Sequence, residues 1–121
     1  MAKRVLIVDD AIFMRDMIRD IFTADGFEVV GEAVHGLEAI EKYKELSPDF
    51  VTMDIVMPFK SGIEATREII KFDPAAKIIM CSALGQEALV MEAIESGASD
   101  FVVKPFRSED VLAVVHKVLG A

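Results

Sequence analysis

Cysteine is nearly absent. Cys81 is the only one in 121 residues, so no internal disulfide can form and a reducing compartment is expected. It lies within an apolar run, where a thiol serves as a small buried hydrophobe rather than as a reactive group. Long hydrophobic runs are also missing. The opening Met1-Ala2-Lys3-Arg4 is followed by only four apolar residues before Asp9 and Asp10, too few for the apolar region of a signal peptide. No run approaches the roughly 18 residues needed to span a bilayer, so a cytoplasmic protein without a membrane segment is expected. Positive charge is scarce: 13 Lys and Arg stand against 21 Asp and Glu, for a formal net charge of -8. That balance repels a phosphate backbone, which argues against nucleic acid as a direct partner and suits binding of cations or basic surfaces. Linkers, low-complexity stretches and a second composition regime are lacking, so one domain over 1–121 is expected.

What is present is alternation. Short apolar runs at Val5–Val8, Phe27–Val30, Phe50–Met53, Lys77–Cys81 and Phe101–Val103 are rich in Val and Ile. Most are nearly continuous, as in strands buried on both faces. Between them, apolar residues recur at helical spacing. Met14, Met17, Ile18 and Ile21 form the first stripe, and Leu37, Ile40 and Tyr43 the second. Ile63 and Ile70 mark the third, Ala88, Met91 and Ile94 the fourth, and Val111, Val115 and Val118 the fifth. Gly26 and Gly97 stand where left-handed helix caps are wanted, and all four prolines fall between periodic segments. Five strand–helix units imply an α/β fold, a doubly wound five-stranded parallel sheet with helices on both faces. Strand order 2-1-3-4-5, flavodoxin-like, is expected.

In such sheets function gathers at the carboxyl ends of the strands, beside the switch between strands 1 and 3. Strand 1 ends in Asp9-Asp10, strand 3 in Asp54, strand 4 in Ser82 and strand 5 in Lys104. Three carboxylates on one sheet edge repel one another by several kcal/mol per close pair in a partly buried setting. Mg²⁺ is the natural compensating ion, since it prefers hard oxygen ligands and needs only one or two protein carboxylates. With Lys104 it balances three aspartates. Singly, each residue has a plainer reading: Asp10 as a cap for a helix near Ala11, Ser82 as a turn residue, Lys104 as a solvated cation. Asp54 has no helix directly after it to cap. His35 and His116 lie apart from the acids, the first opening a helix and the second near a helix C-terminus.

The runs RVLIVDD at 4–10, MDIVMPFKSGIEA at 53–65, CSA at 81–83 and GASDFVVKPF at 97–106 together resemble the response-regulator receiver family, over essentially the whole chain. Ile12-Phe13-Met14-Arg15 after the acidic pair most resembles the single-domain chemotaxis (CheY-type) regulators. The resemblance implies a two-component switch that accepts a phosphoryl group on Asp54 from a histidine kinase or small phosphodonor. It implies Mg²⁺ held by Asp10, Asp54 and the main-chain carbonyl of Val56, with Asp9 acting through water. Ser82 and Lys104 would contact the phosphoryl group, Lys104-Pro105 would be cis, and Ser82 with Phe101 would form the switch. Not an enzyme on external substrates, such a protein promotes its own phosphorylation and dephosphorylation.

Implied partners are the kinase, an output protein such as a flagellar-motor switch protein, and a phosphatase, with the chain a monomer or weak dimer. Departures from the family pattern are Ser61, where Asp or Asn is frequent, the apolar Val56 and Leu84, where many relatives are polar, and Val114, where a motor-directed relative carries a basic residue. Alternatives are a receiver excised from a longer regulator, a docking module that works unphosphorylated, a haloacid-dehalogenase-type phosphatase and a flavodoxin-like cofactor binder. The last two fit poorly: the acids are adjacent with no cap insertion, and two aspartates after strand 1 repel a phosphate. An output surface is expected on the fourth helix, fifth strand and fifth helix, where Leu89, Val90 and Ala93, and Leu112 and Val114, extend the apolar faces.

Overall fold

In the computed structural model, which describes residues 2–120, strands and helices alternate without exception. The strands are β1 (Arg4–Val8), β2 (Glu28–Ala33), β3 (Phe50–Asp54), β4 (Ile78–Ser82) and β5 (Asp100–Val103). The helices are α1 (Ile12–Ala24), α2 (Gly36–Leu46), α3 (Gly62–Phe72), α4 (Glu87–Glu95) and α5 (Ser108–Leu119). All strand pairs are parallel, as the alternation implies, and the order is the expected β2-β1-β3-β4-β5.

Because successive strand residues point to opposite faces, the central strands feed two cores. Leu6, Val8, Val51, Met53, Ile78 and Met80 face α2, α3 and α4, where Tyr43, Ile69, Val90 and Ala93 meet them. Val5, Ile7, Phe50, Ile79 and Cys81 face α1 and α5 and pack on Ile18, Phe22, Val111 and Val115. Each such aliphatic or aromatic side chain contributes about 1.5–3 kcal/mol by leaving water. Phe22, Phe27 and Phe50 add a triangle of edge-to-face contacts with centroids 5.4–5.6 Å apart. Sequence runs and strands agree to within a few residues; Phe27 itself lies just before β2 and packs as part of this triangle. Gly26 and Gly97 both take left-handed backbone angles, with φ of 87° and 116°.

The helix faces depart from the stripes in places. Met17 on α1 and Leu37 on α2 are exposed, and α2 buries Ala39 instead. On α4 the expected faces are exchanged. Met91 and Ile94 lie outward, whereas Val90 and Ala93 are buried and Leu89 is half-buried. The physical reason is composition: α4 is apolar around most of its circumference, so periodicity could not choose among adjacent arcs. Sheet contact picks the arc with Val90 and Ala93. The expected extra apolar face on α4 therefore exists, but Met91 and Ile94 form it.

Candidate functional site

Each strand delivers its polar residue to the same edge. Asp9 directly follows β1, Asp54 ends β3, Ser82 ends β4 and Lys104 directly follows β5. Asp9, Asp10 and Asp54 each present a carboxylate oxygen within 4.8 Å of the others. Lys104 Nζ donates to Asp9 Oδ2 at 3.0 Å and to Asp54 Oδ1 at 3.4 Å. Asp9 is only 1% exposed, and its remaining bonds are all made. Its N–H donates to the Ala33 carbonyl at 3.1 Å, its Oδ1 accepts from Ala11 N–H at 2.9 Å, and its carbonyl accepts from Arg15 Nη1 at 2.7 Å. Asp10 is exposed and does not cap α1; the N-cap is Ala11, which offers no side-chain bond. The capping explanation for Asp10 is thereby removed.

Burial pushes the Asp54 carboxyl up to about 6, and the neighbouring Asp9 charge adds to this, while Lys104 pulls the other way. One lysine therefore undercompensates the acids. For Lys104, burial disfavours the charge, yet the hydrogen bond to Asp9 and the charges of Asp54 and Asp9 prevail and raise its pKa. Hard oxygens in excess of positive charge, with exposed Asp10 leaving room for water, match the donor set of Mg²⁺.

The chain after Asp54 folds back against it. Ser61 opens α3 with a reciprocal capping box to Glu64, so its departure from the family pattern still starts a helix well. Gly62 N–H donates to the Ile55 carbonyl at 2.8 Å, and a Cβ at Gly62 would stand 2.0 Å from the Asp54 carbonyl oxygen. Only glycine permits this approach without shifting the Asp54 main chain. Phe59, with φ of 67°, sets its ring 5.1 Å from His35, whose Nδ1 caps α2 by accepting from Glu38 N–H at 3.1 Å. Val56 lies at the start of this loop, 57% exposed, with Leu84 also exposed after β4.

Ser82 and Phe101 stand differently from the acids. Ser82 is buried, one residue beyond the Cys81–Asp54 register pair, and its hydroxyl donates to the Val102 carbonyl at a long 3.4 Å. Phe101, on β5, is 39% exposed. Between them lies an apolar cavity of about 290 Å³, bordered by Ala83, Val90, Met91 and Val103 as well. Lys104-Pro105 is cis, as the resemblance implies. The contact of Arg15 with Glu32, 17 residues apart, is not legible in the sequence: an arginine on an amphipathic helix looks like a solvated surface charge. Cys81 is buried and its thiol is pushed up to about 12 by burial, which makes it unreactive.

Residues 5–116 match the response regulator receiver domain. The chain belongs to this family. As a receiver it is 63% identical over 118 residues to the chemotaxis protein CheY of Thermotoga maritima, covering 98% of each chain. It is 59% identical over 120 residues to CheY of Bacillus subtilis, covering 99% of this receiver and all of that protein. Among solved structures, the CheX-CheY-BeF3-Mg²⁺ complex from Borrelia burgdorferi aligns with a TM-score of 0.92 at 43% identity, over 96% of this chain and 88% of that one. The receiver is thus CheY-like in sequence as well as fold. No helix among its described residues is long and apolar enough to cross a membrane.

Proposed function

We propose that this receiver is a phosphorylation-activated switch of a two-component chemotaxis pathway, acting as one domain over 1–121 in the cytoplasm. The observation that carries the reading is Lys104 Nζ lying between the carboxylates of Asp9 and Asp54, within a three-acid cluster at one sheet edge. Asp54 is the phosphoacceptor: its carboxylate oxygen attacks phosphorus, and the bond to the donor's imidazole nitrogen or small leaving group breaks with the electron pair leaving on that group. Asp10, Asp54 and the Val56 carbonyl would hold Mg²⁺, with Asp9 acting through water. Bound there, the ion would offset charge on the phosphoryl oxygens and help align donor with acceptor.

The chain's own groups do the rest. Lys104 is already within reach of Asp54 and pairs with a phosphoryl oxygen. Ser82 exchanges its long bond to Val102 for a charge-assisted one to the phosphoryl group. Phe101 then turns into the apolar cavity beside Ser82, converting a charge event into a packing event. The outer surface of α4, β5 and α5 changes accordingly and is read by an output protein. Its relatives named chemotaxis protein CheY support the pathway. In this reading a histidine kinase is the donor and a flagellar-motor switch protein the reader. The complex of a relative with CheX supports a further protein partner, which in this reading is a phosphatase. The receiver acts as a monomer or weak dimer and turns over no external substrate.

The test is intact mass after incubation with acetyl phosphate and Mg²⁺. One phosphoryl group is expected on the wild type and none on Asp54→Ala or in excess chelator. Incorporation that survives either change sinks the assignment.

A further inference from the structure

Asp10 is exposed and makes no side-chain hydrogen bond among the described residues, so its aim depends on the main chain that carries it. That main chain is gripped from outside the acid cluster. Arg15, on the first turn of α1, donates Nη1 to the Asp9 carbonyl at 2.7 Å and Nε to Glu32 Oε1 at 2.8 Å. Its side chain is 12% exposed and that of Glu32 22%. Glu32 sits on β2 opposite Ile7 of β1, and it is itself anchored: Arg19 pairs with its second carboxylate oxygen, and Lys42 donates to its main-chain carbonyl.

The Asp9 carbonyl belongs to the planar peptide that leads into Asp10, so a donor fixing that oxygen fixes the plane from which Asp10 departs. A guanidinium suits the task because its rigid fork addresses two acceptors in different directions at once; an ammonium does not. Glu32 has a second effect. A guanidinium left free beside three carboxylates would take one bidentately and compete with any metal ion there. Engaged by Glu32, Arg15 meets the site only through a neutral carbonyl.

We propose that the Arg15–Glu32 pair is a positioning device for the metal site, holding the Asp9–Asp10 peptide so that Asp10 is aimed while keeping a second cation off the carboxylates. This rests on the reading that Asp10 and Asp54 hold Mg²⁺. Partners one step removed from a metal commonly tune its affinity in this way.

The experiment is calorimetric titration of Mg²⁺ into wild type, Arg15→Lys, Glu32→Gln and, as a control, Arg67→Lys, whose exposed pair with Glu92 lies on α3 and α4. Arg15→Lys keeps the charge and loses the fork. Glu32→Gln keeps the shape, and salt near 0.15 M, with a screening length of about 8 Å, suppresses its long-range charge effect. Both should weaken the Mg²⁺ Kd on the order of tenfold, with Arg67→Lys unchanged. A merely structural pair would lower the melting temperature in chelator and leave Kd alone, so both are measured. Wild-type Kd in the two site variants overturns the proposal, and if Arg15→Lys does not fold, the near-isosteric Glu32→Gln decides alone. Failure of the wild type itself to bind Mg²⁺ overturns the underlying reading, and this inference with it.

Discussion

Lys104 sits closer to Asp9 than to Asp54, at 3.0 Å against 3.4 Å, so its charge serves chiefly the more deeply buried acid. Asp9 is 1% exposed and Asp54 13%. The lysine therefore both holds the three-acid cluster together and stands beside the proposed acceptor. Removing it leaves a buried carboxylate without its cation, a far larger loss than breaking a surface pair.

Lys104→Met should accordingly destabilise the protein by about 3 kcal/mol in chelator. Chemical denaturation with and without Mg²⁺ checks this: part of the loss should return with the ion, which replaces some of the missing positive charge. Destabilisation no larger than that of an exposed lysine would mean the pair is dispensable.

Magnesium should stabilise the folded receiver without any phosphoryl group. An ion that binds only the folded chain adds about 2.7 kcal/mol when its free concentration is a hundred times Kd. Asp10→Ala should abolish the shift, and in chelator should melt no lower than wild type because it removes a mutually repelling charge. Thermal melts of both proteins across a Mg²⁺ series give the answer; an undiminished shift in Asp10→Ala would show that this residue is not a ligand.

The raised pKa of Asp54 carries a signed pH dependence. Its carboxyl stands near 6 against an ordinary 3.8, so between those values the folded chain binds the proton more tightly than the unfolded one. Stability contributed by this group is thus present at low pH and lost as pH rises toward 6. In chelator, Asp54→Asn should be more stable than wild type above pH 6, on the order of 2 kcal/mol after allowance for screening at a partly open site. The gap should close on descending toward pH 4. A gap that persists there, measured by denaturant titration at each pH, would contradict the assignment of the charge strain to Asp54.

Once formed, the acyl phosphate should be comparatively long-lived. Its loss needs a water in line with phosphorus, and the exposed Val56 and Leu84 offer no hydrogen bond to orient one. Val56→Asn or Leu84→Glu should speed decay about tenfold, equivalent to ~1.4 kcal/mol of barrier. Decay followed by mass or radiolabel after removing the donor decides it; unchanged or slower loss in both variants rules out this gating.

The reading surface is testable with Phe101 and Met91. Met91, 62% exposed on α4, is the side chain to alter there, since the neighbouring Val90 is only 7% exposed and a charge at that position would disrupt the core. Phe101→Ala and Met91→Asp should each weaken binding of the phosphorylated receiver to a flagellar-motor switch protein about tenfold, ~1.4 kcal/mol, without changing phosphorylation of Asp54. Wild-type affinity in both would move the output surface elsewhere.

Much of this architecture was legible because its signals are local or positional. Continuous Val/Ile runs alternating with helical stripes dictate a parallel sheet, and once the strands are placed, Asp9, Asp54 and Lys104 must share an edge. His35 as a helix opener could likewise be read from its place just before the second stripe. The face of α4 could not, because an almost wholly apolar helix gives no contrast for periodicity to use. The grip of Arg15 on the Asp9 carbonyl was hidden for a different reason: it depends on β2 bringing Glu32 beside α1, and nothing in either residue's neighbourhood announces a contact across 17 positions. The division between Asp9, buried and bonded, and Asp10, exposed, also arises only when β1 is fixed against β2.

The silence of Cys81 has a practical consequence. With its thiol 2% exposed and held near 12, it will not compete for maleimides or spin labels at neutral pH. A reporter can therefore be placed at any single exposed position without first deleting the native thiol. Met91→Cys would carry a fluorophore to the rim of the cavity beside Phe101, where its emission would report whether the aromatic ring moves into that space, as proposed, and how long it stays.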